Sequence, residues 1–321
     1  MKTVDLTKTG GGEQPSDLHY EALSGKEGLL TRALWEQVFP EDTAEFLCYY
    51  FREKITDARI HVLKDDNGRV VSMVHANPYD VMMHGVRRRA YYIVGVATLE
   101  SYRHRGCMAF LLQKAVLQAK SEGCPFVFLM PADAAIYEPF GFRYVGQHSC
   151  RARSADLKER MTRNLPSASD TVSLRLSAYS SSDAGALAAY AEKTLAERYD
   201  TYCVHDEAYF ERLSRELASE NGGIYLLWRR GYEASRKDRI AAKQAGEPFI
   251  GGECTDVEKQ TNDILCGYFC YACEGEEYLQ EVIVDREAEV LFYEKSREKR
   301  IMFLSLEEAC VYGRTYFPEM V

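Results

Sequence analysis

The sequence lacks the features that mark membrane and exported proteins. It has no stretch of about 18 consecutive apolar residues, so we expect no membrane-spanning helix. The first residues, MKTVDLTKTGGGEQPSD, contain no apolar core of the kind that a signal peptide needs. There is also no excess of positive charge, because 40 Lys and Arg stand against 49 Asp and Glu, which gives a formal net charge of -9 and a pI near 5.4. A non-specific nucleic-acid binder needs a basic surface, so this class is disfavoured.

Ten cysteines are scattered along the chain without a secretory signal. This usage favours reduced thiols and a cytoplasmic protein. The densest group, Cys266, Cys270 and Cys273, lies in a β-patterned run with no second Cys or His pair at zinc-finger spacing. The alternation of a strand predicts Cys266 and Cys270 on one face and Cys273 on the other. We therefore interpret all three as small core side chains and expect no metal.

What the sequence does contain is a strand, a basic turn and a helix in immediate succession. The β-formers of residues 91–98 predict a strand that is buried on both faces. Apolar residues spaced by three and four over residues 108–119 predict an amphipathic helix, and Gly123 is its expected end. The turn between the two elements, residues 102–106, contains two arginines and a glycine.

We expect this turn to bind an anion. The N–H groups of a first helical turn lack intrahelical partners, and the helix dipole favours negative charge there. Gly106 lets a phosphate approach the backbone closely, while Arg103 and Arg105 add positive charge. The Gly-Lys-Ser/Thr of a P-loop and the spaced glycines of a dinucleotide site are both missing. The alternative is an ordinary strand-to-helix turn with surface arginines.

The turn resembles motif A of the GCN5-related N-acetyltransferases, the GNAT superfamily, whose pattern is Arg/Gln-x-x-Gly-x-Gly/Ala. Here the motif is Arg103-His104-Arg105-Gly106-Cys107-Met108, so Met108 replaces the last small residue and Ala109 follows it. The wider pattern VAT-x(4)-YRxRGxM is similar to the multi-domain acetyltransferases of the enhanced-intracellular-survival type. The resemblance implies that N–H groups of residues 104–109 hold the pyrophosphate of acetyl-CoA. It also implies that the pantetheine arm pairs with the backbone of Val96, Ala97 and Thr98.

A second match follows at the expected distance. Residues 125–130 predict a buried strand parallel to the first, since a helix connects the two. After it, the segment from Tyr137 to Phe142 resembles the GNAT motif B, Tyr-x-x-x-Gly-Phe. The resemblance implies that Tyr137 is the general acid that protonates the departing CoA thiolate. A packed aromatic side chain is the alternative, in a chain with 22 tyrosines.

The order of patterns predicts the fold. Residues 18–147 give strand, two helices, three antiparallel strands, helix, strand, helix and strand, which is the GNAT order. We expect an α/β (α+β) protein with two tandem GNAT-like folds, each a mixed, mostly antiparallel sheet flanked by helices. The expected divisions are a disordered segment 1–16, a catalytic domain 17–150, a linker 151–170, a degenerate second GNAT-like domain 171–298 and a strand/helix tail 299–321. The second domain lacks the Arg-x-x-Gly-x-Gly/Ala turn and is not expected to bind CoA.

Other candidate residues come from the resemblance. In this fold the two early helices line the acceptor pocket, so Trp35 and Phe39 are candidate pocket residues, with core packing as an equal alternative. His75 and His84 could serve as bases, although nothing in the sequence places them near Tyr137. In the long relatives a terminal carboxylate is the base, which makes Val321 a candidate. We favour the alternative that the tail packs on the second module.

The predicted function is transfer of an acetyl group from acetyl-CoA to a primary amine of a small molecule or peptide. The amine attacks directly, with no metal, nucleic acid or membrane as partner. One alternative is a CoA-binding or scaffold protein without turnover. The other is an aminoacyl transferase of the peptidoglycan-bridge type, which also pairs two GNAT-like folds but would want a basic groove. The acceptor and the oligomeric state are not readable from the sequence, although the long relatives form closed rings.

Overall fold

The computed structural model describes residues 13–148, 174–230, 263–274, 276–285, 299–306 and 314–317. Within them the chain forms two β-sheets with helices packed against both. The predicted linker 151–170 and residues 1–12 of the predicted N-terminal segment lie outside the described residues.

The first module has the predicted order of elements. Its strands are β1 (His19–Ser24), β2 (Arg59–Lys64), β3 (Val70–Met83), β4 (Val86–Thr98), β5 (Phe126–Leu129) and β6 (Arg143–His148). Its α-helices are α1 (Arg32–Val38), α2 (Ala44–Arg52), α3 (Cys107–Ser121) and α4 (Ala134–Tyr137). Thr43 starts α2 because its side chain accepts a hydrogen bond from the Phe46 amide.

The rest of the described chain supplies seven strands and two α-helices. The strands are β7 (Leu174–Ala178), β8 (Thr201–Cys203), β9 (Gly223–Arg230), β10 (Asp263–Glu274), β11 (Glu276–Val284), β12 (Lys299–Ser305) and β13 (Thr315–Tyr316). The helices are α5 (Ala184–Arg198) and α6 (Glu207–Ser219). Asp206 caps α6, since its side chain accepts a hydrogen bond from the Tyr209 amide.

The first sheet takes strands from both ends of the chain. Its main order is β1-β2-β3-β4-β5-β12-β6, and only β4 and β5 pair parallel along it. Strand β12 lies antiparallel between β5 and β6, and β8 extends the far end of β3 and pairs with β13. The prediction that the tail packs on the second module is wrong for β12, which lies within the first sheet, whereas Tyr316 of β13 belongs to the hydrophobic cluster of the second module. Its side chains Met302, Phe303 and Leu304 are all buried, as a central strand requires.

The second sheet has the order β11-β10-β9-β7. Its described strands pair only antiparallel, so the mixed sheet expected for this module is not present among them. The helices α5 and α6 pack on one face and share a hydrophobic cluster with β9 and β10.

The prediction that Cys266 and Cys270 lie on the same face of β10 is wrong. A register shift between Leu265 and Gly267 marks a β-bulge at Cys266. Cys266 therefore packs with Phe269 on one face, while Cys270 belongs to the cluster on the other. One inserted residue reverses the alternation of a strand, and the residue pattern does not reveal it.

The two modules meet through α2 and α6. The Tyr49 hydroxyl donates a hydrogen bond of 2.9 Å to Glu216, and both side chains are buried. Arg215 of the same helix forms an ion pair with Glu53 just after α2. Nearby, the buried Lys54 ammonium donates to the Tyr79 hydroxyl, and burial lowers the pKa of Lys54 to about 8. The bonds of Tyr49 with Glu216 and of Glu53 with Arg215 fix the second module against the helix layer of the first.

Candidate active site

Strands β4 and β5 separate soon after they meet. Their pairing consists of Tyr91 opposite Val127 and Tyr92 opposite Phe128. Beyond this point β4 continues to Thr98, and no other described strand pairs with that edge. Backbone N–H and C=O groups on an unpaired strand edge are available to a ligand. The sheet therefore has a wedge-shaped opening, with the backbone of β4 as one wall and Tyr92 at its apex.

A β-bulge bends β4 inside this opening. The pairing with β3 shifts register between Met73 and His75, which leaves β4 with one extra residue. Gly95 lies in the bulge with a φ of 57°, a left-handed conformation that glycine adopts without strain. A Cβ atom at this position would lie 2.4 Å from the Trp35 ring. Trp35 thus packs directly on the bulge and holds β4 in place beside the opening.

The last residues of β4 are fixed from the β3 side. The Ser72 hydroxyl donates to the Ala97 carbonyl at 3.1 Å and shares a hydrogen bond of 2.8 Å with the Thr98 hydroxyl. Arg103 Nε donates to the Thr98 carbonyl at 3.2 Å. Val96, which lies between the bulge and these bonds, is half-buried. The segment predicted to pair with a pantetheine arm is therefore held firmly along one edge.

The turn after β4 leaves the start of α3 open. His104 and Gly106 have φ values of 61° and 80°, and residues 103–106 are exposed. Nothing lies within 4 Å of a Cβ atom placed on Gly106. The helix begins at Cys107 and runs for 15 residues, so its first N–H groups and the positive end of its dipole face this space. These residues fit a phosphate group.

The two arginines of the turn have different partners. Arg105 forms an ion pair with Asp17, and its guanidinium carbon lies 5.3 Å from the centre of the Tyr102 ring. Hydrogen bonding to Arg105 lowers the pKa of the Asp17 carboxyl. Arg103 bonds to the β4 backbone and is exposed. A phosphate arriving at the helix end would therefore share Arg105 with a carboxylate that the sequence did not single out.

The other motif residues at the helix start point inward. Cys107 is buried, its thiol donates to the Tyr102 carbonyl at 3.5 Å, and burial raises the pKa of that thiol. Met108, the residue that departs from the motif, packs against the core, and Ala109 is half-buried. The longer side chain at position 108 consequently does not cover the helix end.

Tyr137 lies at the end of α4. Asp133 starts this helix by accepting a hydrogen bond of 2.9 Å from the Ala135 amide. The tight turn after it ends at Gly141, which has a φ of 92°. The Tyr137 ring packs on Phe142 with ring centres 5.8 Å apart. Gly141 and Phe142 of the motif thus fix the position of Tyr137, the first by ending the turn and the second by packing on the ring.

The Tyr137 hydroxyl has no hydrogen-bond partner among the described residues, and burial raises its pKa to about 12. Burial, and after it the proximity of Tyr137, raises the pKa of Tyr92. Tyr137 is therefore close to the apex of the opening, and its hydroxyl is protonated and available to donate at neutral pH.

The structure separates the remaining candidates. Trp35 is only 3% exposed and packs in the core, whereas Phe39 is half-buried beside it at 5.4 Å between ring centres. Their role as pocket residues stays a prediction. His75 is fully buried against Tyr50, and burial lowers its pKa to about 3, which makes it a poor base. His84 is exposed at the β3–β4 turn, and Val321 lies outside the described residues.

Several residues that shape the site were not predicted from the sequence: Asp17, Ser72, Tyr92 and Gly95. Of these, only Gly95 carried a readable signal, because a glycine inside a strand pattern often marks a bulge. The others depend on contacts between distant segments.

Within the described part of the chain, no group of three or more His, Cys, Asp or Glu side chains is arranged to hold a metal ion. No helix in that part has the length and apolar character needed to cross a membrane.

Comparison with known proteins identifies the first module's relatives. Residues 22–145 match the family model described as an acetyltransferase (GNAT) domain. No curated protein sequence matches the chain. The matched range ends inside β6 and does not include β12.

Solved structures of similar fold cover most of the chain. A GCN5-related N-acetyltransferase from Kribbella flavida aligns with a TM-score of 0.59 and 17% identity, over 90% of this chain and 72% of that one. Eis1 from Mycobacterium abscessus aligns with a TM-score of 0.52 and 12% identity, over 86% and 61% of the respective chains. A tandem GNAT protein from the clavulanic acid biosynthesis pathway gives 0.50 and 11%, over 91% and 100%. At these identities the likeness shows a shared fold.

Proposed function

We propose, from the premise that residues 22–145 form an acetyltransferase domain of the GNAT family, that the protein transfers an acetyl group from acetyl-CoA to a primary amine of a small molecule or peptide. The observation that carries this proposal is the opening between β4 and β5. The free edge of β4 and the exposed start of α3 follow one another along its wall, and Tyr137 is close to its apex.

Binding of acetyl-CoA would use the chain's own backbone. The N–H groups of residues 104–109, with Arg103 and Arg105, would hold the pyrophosphate at the start of α3. The unpaired edge from Val96 to Thr98 would bond the pantetheine amides, as an added strand does. The Gly106 turn fits this assignment because it is open and exposed.

The reaction has four requirements: a deprotonated amine, a stabilised carbonyl oxygen, a proton for the leaving sulfur and reactants held in line. The acceptor amine must first lose a proton, since an ordinary amine has a pKa of about 10. Its nitrogen then forms a bond with the thioester carbonyl carbon, and a backbone N–H near Val96 to Thr98 stabilises the negative charge that develops on the carbonyl oxygen. As the carbon–sulfur bond breaks, the nitrogen releases its second proton to solvent and Tyr137 donates its own proton to the thiolate sulfur. One of the two protons lost by the amine then restores the tyrosine through solvent, and the other is released. Holding both reactants in line supplies a further large share of the rate.

We also propose that residues 174–285 are a degenerate second GNAT-like fold that does not bind CoA. Four antiparallel strands with two helices on one face support this, as does the tandem GNAT fold that aligns over nearly the whole chain. No turn like residues 103–108 follows any strand of its described part.

The test is calorimetric titration of acetyl-CoA into the wild type and a Gly106→Asp variant. The carboxylate would occupy the phosphate position, so we expect the affinity to fall by at least about a hundredfold. Gly68→Asp is the matched control, because Gly68 also has a positive φ and nothing within 4 Å of a Cβ atom, but lies in the β2–β3 turn. We expect this control to bind like the wild type.

Turnover is then measured as thiol release with a panel of primary amines. Release that depends on the amine supports the proposal. Tight binding of acetyl-CoA with no release for any amine favours the scaffold alternative. Absence of binding by the wild type would contradict the proposal.

A further inference from the structure

Strand β12 completes the first sheet from a distant part of the chain. It pairs with β5 from Met302 opposite Leu129 to Ser305 opposite Phe126. On its other edge it pairs with β6, where Phe303 lies opposite Arg143. No direct pairing between β5 and β6 occurs among the described strands. Among the described strands, β6, which follows the Tyr137 turn, therefore pairs with the sheet through β12, and Thr315 of β13 adds one side-chain hydrogen bond to the Val145 carbonyl.

The same strand forms the floor beneath the Tyr137 turn. Leu304 Cδ1 would lie 3.2 Å from a Cβ atom on Gly141, so Leu304 touches the glycine that ends the turn. Met302 and Leu304 share one core cluster with Phe142, and Tyr137 packs against that cluster. On the opposite face, Phe303 stacks on Phe126 with ring centres 4.2 Å apart and the planes 9° apart. Both faces of β12 are thus locked into the first module.

The cradle for the phosphate is built from different residues. The residues of the turn at 103–106 follow β4, and the helix behind them packs across β2, β3 and β4. Leu304, in contrast, touches Gly141 at the end of the Tyr137 turn. A disturbance at Leu304 should therefore reach Tyr137 before it reaches the cradle.

We infer that β12 is a positioning element of the active site, in which Leu304 fixes the Tyr137 turn and so the hydroxyl that donates to the leaving sulfur. The inference rests on the proposed acetyltransferase function. It means that the catalytic unit comprises residues 13–148 together with 299–306, and that the C-terminal segment is required for catalysis although it lies outside the matched GNAT range.

The first measurement is steady-state kinetics of Leu304→Ala in the full chain. Small misplacements of a catalytic group cost up to about a hundredfold, so we expect kcat to fall by about tenfold to a hundredfold. The KM for acetyl-CoA should stay within about twofold, because the cradle is unchanged. The matched control is Leu187→Ala, a fully buried leucine of the second module, which should leave kcat unchanged. Leu304→Met, which keeps the volume, should restore most of kcat.

A double-mutant cycle with Tyr137→Phe tests whether Leu304 acts through the tyrosine. Once the hydroxyl is removed, Leu304→Ala should have almost no further effect on kcat. Equal effects of Leu304→Ala with and without the hydroxyl would overturn the inference, as would a loss of kcat no larger than that of Leu187→Ala. Leu304→Val is the milder variant for the same cycle if the alanine variant does not fold.

Amide hydrogen exchange provides a readout that does not depend on turnover. In Leu304→Ala we expect faster exchange in residues 134–148 and no change in residues 104–112. Unchanged exchange in residues 134–148 would overturn the inference. If no amine is acetylated by the wild type but the exchange pattern is found, the proposed function fails while the positioning of the turn by β12 stands.

Discussion

Each module buries a histidine among tyrosines, His75 in the first and His205 in the second, but the two side chains have different hydrogen-bond partners. In the first module, His75 shares a hydrogen bond of 3.0 Å with the Tyr50 hydroxyl, and its Nε2 has no partner among the described residues. In the second module, His205 bonds at 2.8 Å to the carboxylate of Glu281 and at 2.6 Å to the Cys203 carbonyl.

The buried Glu281 carboxylate accepts hydrogen bonds from several side chains. Glu281 is 2% exposed, and its carboxylate also accepts hydrogen bonds from the Tyr316 hydroxyl at 3.1 Å and the Tyr209 hydroxyl at 3.4 Å. The Cys270 thiol contacts the same carboxylate at 3.8 Å. These groups come from α6, β10, β11 and the C-terminal β13, and His205 comes from the segment between β8 and α6. A buried carboxylate with several donors ties segments together, and this one holds the tail in place.

The first module has a gap between two strands of its sheet and is called open here, whereas the second, called closed, has none among its described strands. The first sheet parts between β4 and β5 and exposes a helix start. The second sheet shows no such parting in its described strands, and its buried Glu281 carboxylate is bonded to His205 and to two tyrosine hydroxyls. Chemistry should therefore respond to changes in the first module, and stability to changes in the second.

The largest expected effect is the loss of kcat in Tyr137→Phe, a change in the open first module. Loss of a general acid typically costs a factor of 10² to 10⁴, so we expect kcat to fall by roughly that amount. The affinity for acetyl-CoA should stay within about twofold, since the hydroxyl has no part in the cradle. Tyr144→Phe, an exposed tyrosine of β6, is the matched control. An unchanged kcat in Tyr137→Phe would remove the tyrosine from the mechanism.

The second effect is expected for Glu281→Ala and concerns stability. Removing the carboxylate leaves His205 and two tyrosine hydroxyls without their partner, so the free energy of unfolding should fall by about 3 kcal/mol or more. In a Trp35→Phe background, the fluorescence of Trp228 reports the second module. Glu192→Ala removes a half-buried carboxylate bonded to Tyr202 at 2.8 Å and should cost only about 1 kcal/mol.

The folded Glu281→Ala protein should bind acetyl-CoA like the wild type at low temperature. A loss of affinity while the second module is still folded would break the division between an open and a closed module.

Local patterns were enough to predict the elements of the first module and its turn. The order of strands and helices over residues 18–147 was predicted, because alternation, helical spacing and turn residues are local signals. Gly106 was predicted to leave the helix start open, and its surroundings are open. These features depend on residues that are close in the sequence.

Partners that are distant in the sequence could not be predicted. The apolar run of β12 indicates a strand but does not show which strands it pairs with, and its partners lie about 150 to 180 residues earlier. The same limit applies to the ion pair of Asp17 with Arg105 and to the packing of Trp35 on Gly95, where only the three-dimensional structure brings the residues together.

The smallest expected effect is on the pH dependence of stability. Burial lowers the pKa of His75 to about 3 and that of His61 to about 4, below the ordinary value of about 6.5. The unfolded chain therefore binds more protons than the folded one between these values. The stability that the neutral histidines contribute is fully present above pH 6.5 and is lost as the pH falls, by up to about 1.4 kcal/mol per pH unit for each histidine.

His75→Asn should flatten this slope between pH 6.5 and 5 by up to about one proton, measured by urea unfolding with Trp35 as the reporter in a Trp228→Phe background. Trp35 is suited to this because its ring centre lies 5.2 Å from that of His75. Asn77→Ser, a change at the neighbouring buried position that does not titrate, should lower stability without altering the slope. If His75→Asn keeps the wild-type slope, His75 binds a proton as readily in the folded chain as in the unfolded one, which would contradict the lowered pKa.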